Sequence, residues 1–209
     1  MKIMYTIGSL LLLGLKLQVY FLLKTLMGGI VLGIFPAFFG MFRILWRCID
    51  EKDVHHVYLK KELKKFDKKE FIKMNIIGYI FAVFIYILVL NMYISRYFIQ
   101  VNILHWFILL ILILIISMGL YAVALFTKYD LPISQYIFQG FLCSIVGIFE
   151  TIAIFLGFGI AIGISLAVPP IGFFLGIPLI ILPHAWFSQA TVARFERVFY
   201  KVQEDEDLT

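Results

Sequence analysis

The chain has 209 residues, of which 63% are hydrophobic, 15% charged and 17% aromatic, and its mean hydropathy is +1.00. Soluble domains carry roughly 45–50% apolar and about 25% charged residues, so this composition excludes a disordered chain, a nucleic-acid-binding module and an ordinary soluble enzyme. The net charge of +5 is unevenly placed: ten Lys/Arg and six Asp/Glu lie between Arg43 and Lys73.

Each membrane-crossing helix needs about 20 apolar residues. The pattern predicts an all-α integral membrane bundle in a single domain, 1–209, with five transmembrane helices and a cytoplasmic elbow or amphipathic helix. Met1-Lys2 followed by apolar residues imitates a signal peptide, but Lys16 and Lys24 interrupt the run and no A-x-A site follows, so no cleavage is expected. The first span is placed at 14–35, ending at Pro36, which can open a new helix but not continue the old one unkinked. The segment 37–71 is the cytoplasmic basic stretch. Its first part, with Phe38, Phe42 and Trp46 at near-helical spacing, reads as an elbow helix leaving the interface. Leu59, Leu63 and Phe66 mark a short amphipathic helix within it. The second span is 72–94 and the third 101–126. Asp130 is a candidate N-cap, with Pro132 in the first turn of the fourth span, 134–164. Pro169-Pro170 breaks the chain before the fifth span, 171–191, which runs on as a polar helix to Tyr200. The runs do not alternate as barrel strands would.

Lys/Arg placement sets orientation. With the Arg43–Lys73 stretch inside, Lys128, Arg194, Arg197 and Lys201 are inside too: fourteen positive residues against Lys2 and Arg96 outside. Five spans then put the N-terminus outside and the C-terminus inside. Trp106 falls at the outer interface, and Trp46 and Trp186 toward the inner one.

The stretch Thr25 to Ala37, with Gly33-Ile34-Phe35-Pro36-Ala37 at its end, resembles the signature of the bacterial YesL family, in which an elbow helix follows a Gly-x-Phe-Pro-Ala-like motif. Lys68-Lys69-Glu70-Phe71, with Asn75 and Gly78 behind it, is similar to that family's entry into its second span, and Tyr129 to Tyr136 to its entry into the fourth. The resemblance covers the chain from about Leu12 to the end of the fifth span, the last span by pattern only. It implies a small multi-pass protein of the bacterial cytoplasmic membrane with no established activity, associated with carbohydrate use and sugar ABC transport.

Ionisable residues inside spans are costly and mark candidate sites. Lys16 can snorkel to the outer end. Lys24 lies roughly 18 Å from Pro36, and Glu150 roughly 24 Å from Ser134, at 1.5 Å per residue; they are therefore candidates for an intramembrane ion pair. Arg43, Arg47, Lys60, Lys61, Lys64, Lys65, Lys68 and Lys69 form a candidate surface for anionic lipid or a partner. Gly29/Gly33, Gly159/Gly163 and Gly172/Gly176 have G-x-x-x-G spacing, which lets helices approach closely. Pro36, Pro178 and Pro183 are candidate kinks, since each removes a backbone donor. His55-His56 diverge on a helix and lack partners at ligand spacing, and His105 and His184 read as packing residues. No metal site or cofactor is expected. Cys48 and Cys143 have no C-x-x-C spacing, and Cys143 reads as a small buried hydrophobe. No hydrolase or phosphate-binding motif is present.

The expected function is a non-enzymatic accessory or scaffold component linked to carbohydrate uptake. Its expected partners are membrane lipids, a sugar ABC-transporter permease or a second copy, and no nucleic acid. The alternative is a small oligomeric transporter or channel using Lys24 and Glu150.

Overall fold

The structure, a computed structural model, describes residues 2–50, 62, 67–99 and 101–207. Lys60, Lys61, Lys64, Lys65 and the expected amphipathic helix around Leu59, Leu63 and Phe66 lie outside the described residues, as do His55 and His56. The described residues form helices and no strand: α1 (Lys2–Met27), α2 (Ile34–Asp50), α3 (Lys68–Ile94), α4 (Asn102–Lys128), α5 (Ile133–Val146), α6 (Ile148–Ala167) and α7 (Pro169–Asp207), with a π-turn at Ser95–Ile99 after α3.

Four of the described helices are long and apolar enough to cross a membrane: Lys68–Tyr97, Asn102–Lys128, Ile148–Ala167 and Pro169–Val198. Leu110, Phe149, Leu156 and Phe173 stand outward and more than half exposed, which suits helices whose outer face meets hydrocarbon rather than water. The ends of α3 and α4 lie within four residues of the expected second and third spans, and α7 begins two residues before the expected fifth span and continues past it to Asp207.

The first span is corrected. α1 stops at Met27, eight residues before the expected end, and the chain turns through 28–33. Gly29 and Ile30 both take left-handed backbone there, with φ of 73° and 60°. Gly33 comes so close to the Thr25 carbonyl that a side chain on it would collide. Pro36 is therefore not a kink: it sits in the first turn of α2, where its missing N–H leaves no bond unmade.

The elbow is corrected as well. α2 does not leave the bundle but folds back antiparallel on α1, with Gly40 against the Tyr20 hydroxyl. Its charged residues Arg43, Arg47 and Asp50 recur at i, i+4 and i+7 and keep to one stripe, which leaves the rest of α2 apolar or aromatic and free to pack against its neighbours. Phe39 meets Phe126 of α4 edge-on at 5.0 Å, Phe42 meets His184 of α7 at 4.4 Å, and Phe35 lies over Gly78 of α3. Ala37, Met41 and Phe42 have no exposed surface.

The expected fourth span is two helices. Gly147 (φ −102°, ψ 35°) interrupts it between α5 and α6. α5 alone, with 14 residues, is roughly 21 Å long, against about 30 Å of hydrocarbon. α5 packs on α4, whereas α6 packs along α7, and Val168 alone joins α6 to α7. α7 runs unbroken through Pro178 and Pro183. Pro183 is accommodated against Gly157 of α6.

Candidate functional site

At one end of the bundle, α2, α3, α4 and α7 bring their charged residues together. Asp67 caps α3 by accepting the Lys69 backbone N–H at 2.9 Å, which places Glu70 in the first turn, where an acid also suits the helix dipole. From α2, Arg43 forks between two acids. Its Nη1 donates to Glu62 Oε1 at 2.7 Å and its Nη2 to Glu70 Oε1. The side chains of Arg43 and Glu62 are only 6% and 8% exposed. Burial alone would push the guanidinium down, but the two carboxylates outweigh it and hold it above its ordinary value. A small cavity of about 30 Å³ opens beside this fork between Tyr20, Lys24, Gly40 and Met74. It has room for about one or two waters. The Tyr20 hydroxyl is buried there without a hydrogen-bond partner among the described residues.

Outside the fork lies a charged cleft of about 530 Å³, lined by Arg43, Arg47, Lys69, Lys73, Lys128 and Tyr136 among others. Acids fasten Arg43, Lys73 and Lys128 in place. Lys73 donates to Asp130 at 2.5 Å, and this bond holds the exposed Asp130 carboxyl below the usual carboxylate range. Lys128 and the Tyr129 hydroxyl both donate to Glu196 of α7. Tyr136 knots the 129–132 loop, donating to the Tyr129 carbonyl at 2.7 Å and accepting the Leu131 N–H at 2.9 Å. Asp130 is thus not the N-cap expected of it; Pro132 occupies that position without a side-chain cap.

The expected Lys24–Glu150 pair is corrected. Lys24 stands with Tyr20 and Arg43 at the small cavity, and the acids that act on it are Glu62 and Glu70. Glu150 lies in the first turn of α6 and pairs with Arg194 of α7 at 2.6 Å. The break at Gly147 explains this. It starts a new helix just before Glu150 and turns that residue toward α7. Close by, the Tyr121 hydroxyl reaches Thr151 at 2.9 Å, and Thr191 and the Gly147 carbonyl at 3.2 Å each.

The glycine pairs separate. Gly29 and Gly33 form the turn rather than a helix face, which corrects their assignment to helix packing. Gly172 and Gly176 face Ser165 across the α6–α7 pair, whereas Gly159 and Gly163 meet nothing within 4 Å. His184 is fully buried, with Nε2 at 2.9 Å from the Leu120 carbonyl. Neither Cys48 nor Cys143 is in a disulfide.

Counting basic residues found Arg43, Arg47, Lys68 and Lys69 but missed the acids that hold this end together. Glu62, Glu70, Asp130 and Glu196 come from four places in the chain. One signal was present: Asp67-Lys-Lys-Glu70 has the spacing of an N-terminal capping box.

Residues 15–92 match the model of a family described as a protein of unknown function, DUF624. The DUF624 match takes in the second half of α1, all of α2 and most of α3, and so both Arg43 and Glu70. It also contains the Thr25–Ala37 and Lys68–Gly78 motifs, and its description carries no activity. No curated protein and no solved structure matches the chain.

Proposed function

We propose that this protein is a non-enzymatic accessory component of the bacterial cytoplasmic membrane, and that its charged end docks a membrane partner. The observation that carries this reading is the fixing of that end. Arg43, Lys73 and Lys128 are each held by an acid from a different element, so the cleft presents a set pattern of charge. Preset charges favour recognition of one partner over others more than they add raw affinity. The proposed partner is a sugar ABC-transporter permease, a choice that comes from the YesL resemblance.

In this reading the charged end faces the cytoplasm, as the Lys/Arg asymmetry favours. Five crossings would leave the N-terminus outside. That count needs α2 to leave the bundle, and the antiparallel packing of α2 on α1 supports a different placing. Four helices cross, the α1–α2 hairpin joins them from the cytoplasmic side, and both chain ends lie inside.

The test is co-purification in mild detergent. Permease subunits should accompany the wild-type protein and be lost from an Arg47→Glu/Lys69→Glu variant that stays folded. A permease retained equally by both, or recovered with neither, overturns the reading.

A further inference from the structure

A second, quite different groove runs along the outside of α3. It encloses about 610 Å³ between Ile72, Ile76, Tyr79, Val83 and Phe84 and, on its other wall, Leu32 from the turn between α1 and α2. Its polar groups are turned away from it. The Tyr79 hydroxyl donates to the Val31 carbonyl at 2.8 Å, and the Asn75 amide donates to the Phe71 carbonyl at 3.0 Å. From Ile72 to Phe84 is roughly 18 Å of helix. Half of a hydrocarbon core about 30 Å thick is roughly 15 Å. The groove is therefore about one leaflet deep. A partner's crossing helix would need a matching face through both leaflets.

The groove has a basic entrance. Lys68 precedes Ile72 by four residues, and Ile72, Ile76 and Val83 continue the same stripe, so Lys68 stands at the end of the groove. Lys68 is exposed, whereas Lys69, about 100° further round the helix, lines the charged cleft. The nearby acids face elsewhere: Asp67 accepts the Lys69 N–H, and Glu70 is turned to Arg43. Apolar walls one leaflet deep under an ammonium group match the shape and charge of a single lipid.

We propose that this groove holds one anionic phospholipid from the leaflet on the Arg43 side, with an acyl chain against Ile72, Ile76 and Val83 and the phosphate at Lys68. This rests on the protein being in a membrane but not on any docked partner. The phosphate and headgroup charge give selectivity, and the groove gives retention. Attraction to Lys/Arg near an anionic surface corresponds to a preference on the order of fivefold per lysine.

The experiment uses the full chain, purified, stripped of lipid and returned to an equimolar mixture of phosphatidylglycerol and phosphatidylcholine. Bound lipid is then counted by native mass spectrometry. Wild type should retain one phosphatidylglycerol selectively. Lys68→Gln should still retain lipid but lose the selectivity. Ile76→Trp, which fills the groove, should lose the bound lipid; Val83→Trp makes the same test should Ile76→Trp fail to fold. Equal retention of the two lipids by wild type, meaning an ordinary boundary layer, overturns the proposal. So does unchanged retention by a folded tryptophan variant, or a second protein chain found in place of lipid. Loss of permease binding in the variants of the preceding section leaves these lipid readings unaffected, so the two proposals fail separately.

Discussion

Arg43 brings a charged group almost out of contact with water and is tolerable there because two carboxylates share it. Removing the guanidinium strands both acids. Arg43→Gln should therefore lower stability by about 3–5 kcal/mol, measured by thermal unfolding in detergent. Arg43→Lys should recover little of this, since one ammonium cannot reproduce the two-pronged geometry. Glu150 is the contrast. Its partner Arg194 is 46% exposed, and pairs of that kind contribute about 0–1 kcal/mol. In a cycle of Lys24→Met and Glu150→Gln the two effects should add to within about 0.5 kcal/mol, because the residues have different partners. A coupling well above that would restore the pair the depth estimate suggests. That estimate failed for a physical reason. Distance along a helix gives depth, but says nothing of which way the side chain faces, and Gly147 changed that for Glu150. The charge count failed in a similar way. It located the basic residues of α2 and α3, but acids brought in by Asp130 and Glu196 become neighbours only when the helices pack.

At the scale of elements, the turn between α1 and α2 is the least expected feature. Gly28, Gly29 and Gly33 sit among Ile30, Val31 and Leu32, a run apolar enough to read as continuing helix. Hydrophobic periodicity cannot distinguish a glycine that packs from one that turns. The decisive contact, Gly33 on the Thr25 backbone, exists only once the hairpin closes. Long, uniformly apolar helices were legible for the opposite reason: α3, α4 and α7 need nothing but length and hydropathy to be recognised. The turn also stores strain. Ile30 is β-branched and held at φ 60°, a conformation that costs an L residue about 1–2 kcal/mol. Ile30→Gly should raise stability by about 1 kcal/mol in a detergent melt. A fall of similar size would show that the Ile30 side chain contributes more than its backbone costs. Tyr121→Phe tests the second break. It removes a hydroxyl with three buried partners at Gly147, Thr151 and Thr191 and should cost about 1–3 kcal/mol by the same measurement.

At the scale of the whole molecule, the two placings of the N-terminus predict different labelling. Reporters after Thr209 and within residues 51–61 should both read cytoplasm. A reporter ahead of Met1 should read the same side, as the folded-back hairpin requires; an external reading would restore five crossings. The connections at the two ends of the bundle are also unequal. Away from Arg43, the π-turn after α3 ends at Ile99 and α4 begins at Asn102, and Val168 alone joins α6 to α7. Proteases and antibodies need several residues of free chain to grip, so surface shaving of intact cells should leave the α3–α4 and α6–α7 connections uncut. In the proposed orientation, what the cell exterior meets there is little more than helix ends level with the lipid headgroups, and whatever distinguishes this molecule from its neighbours must be read from the other side.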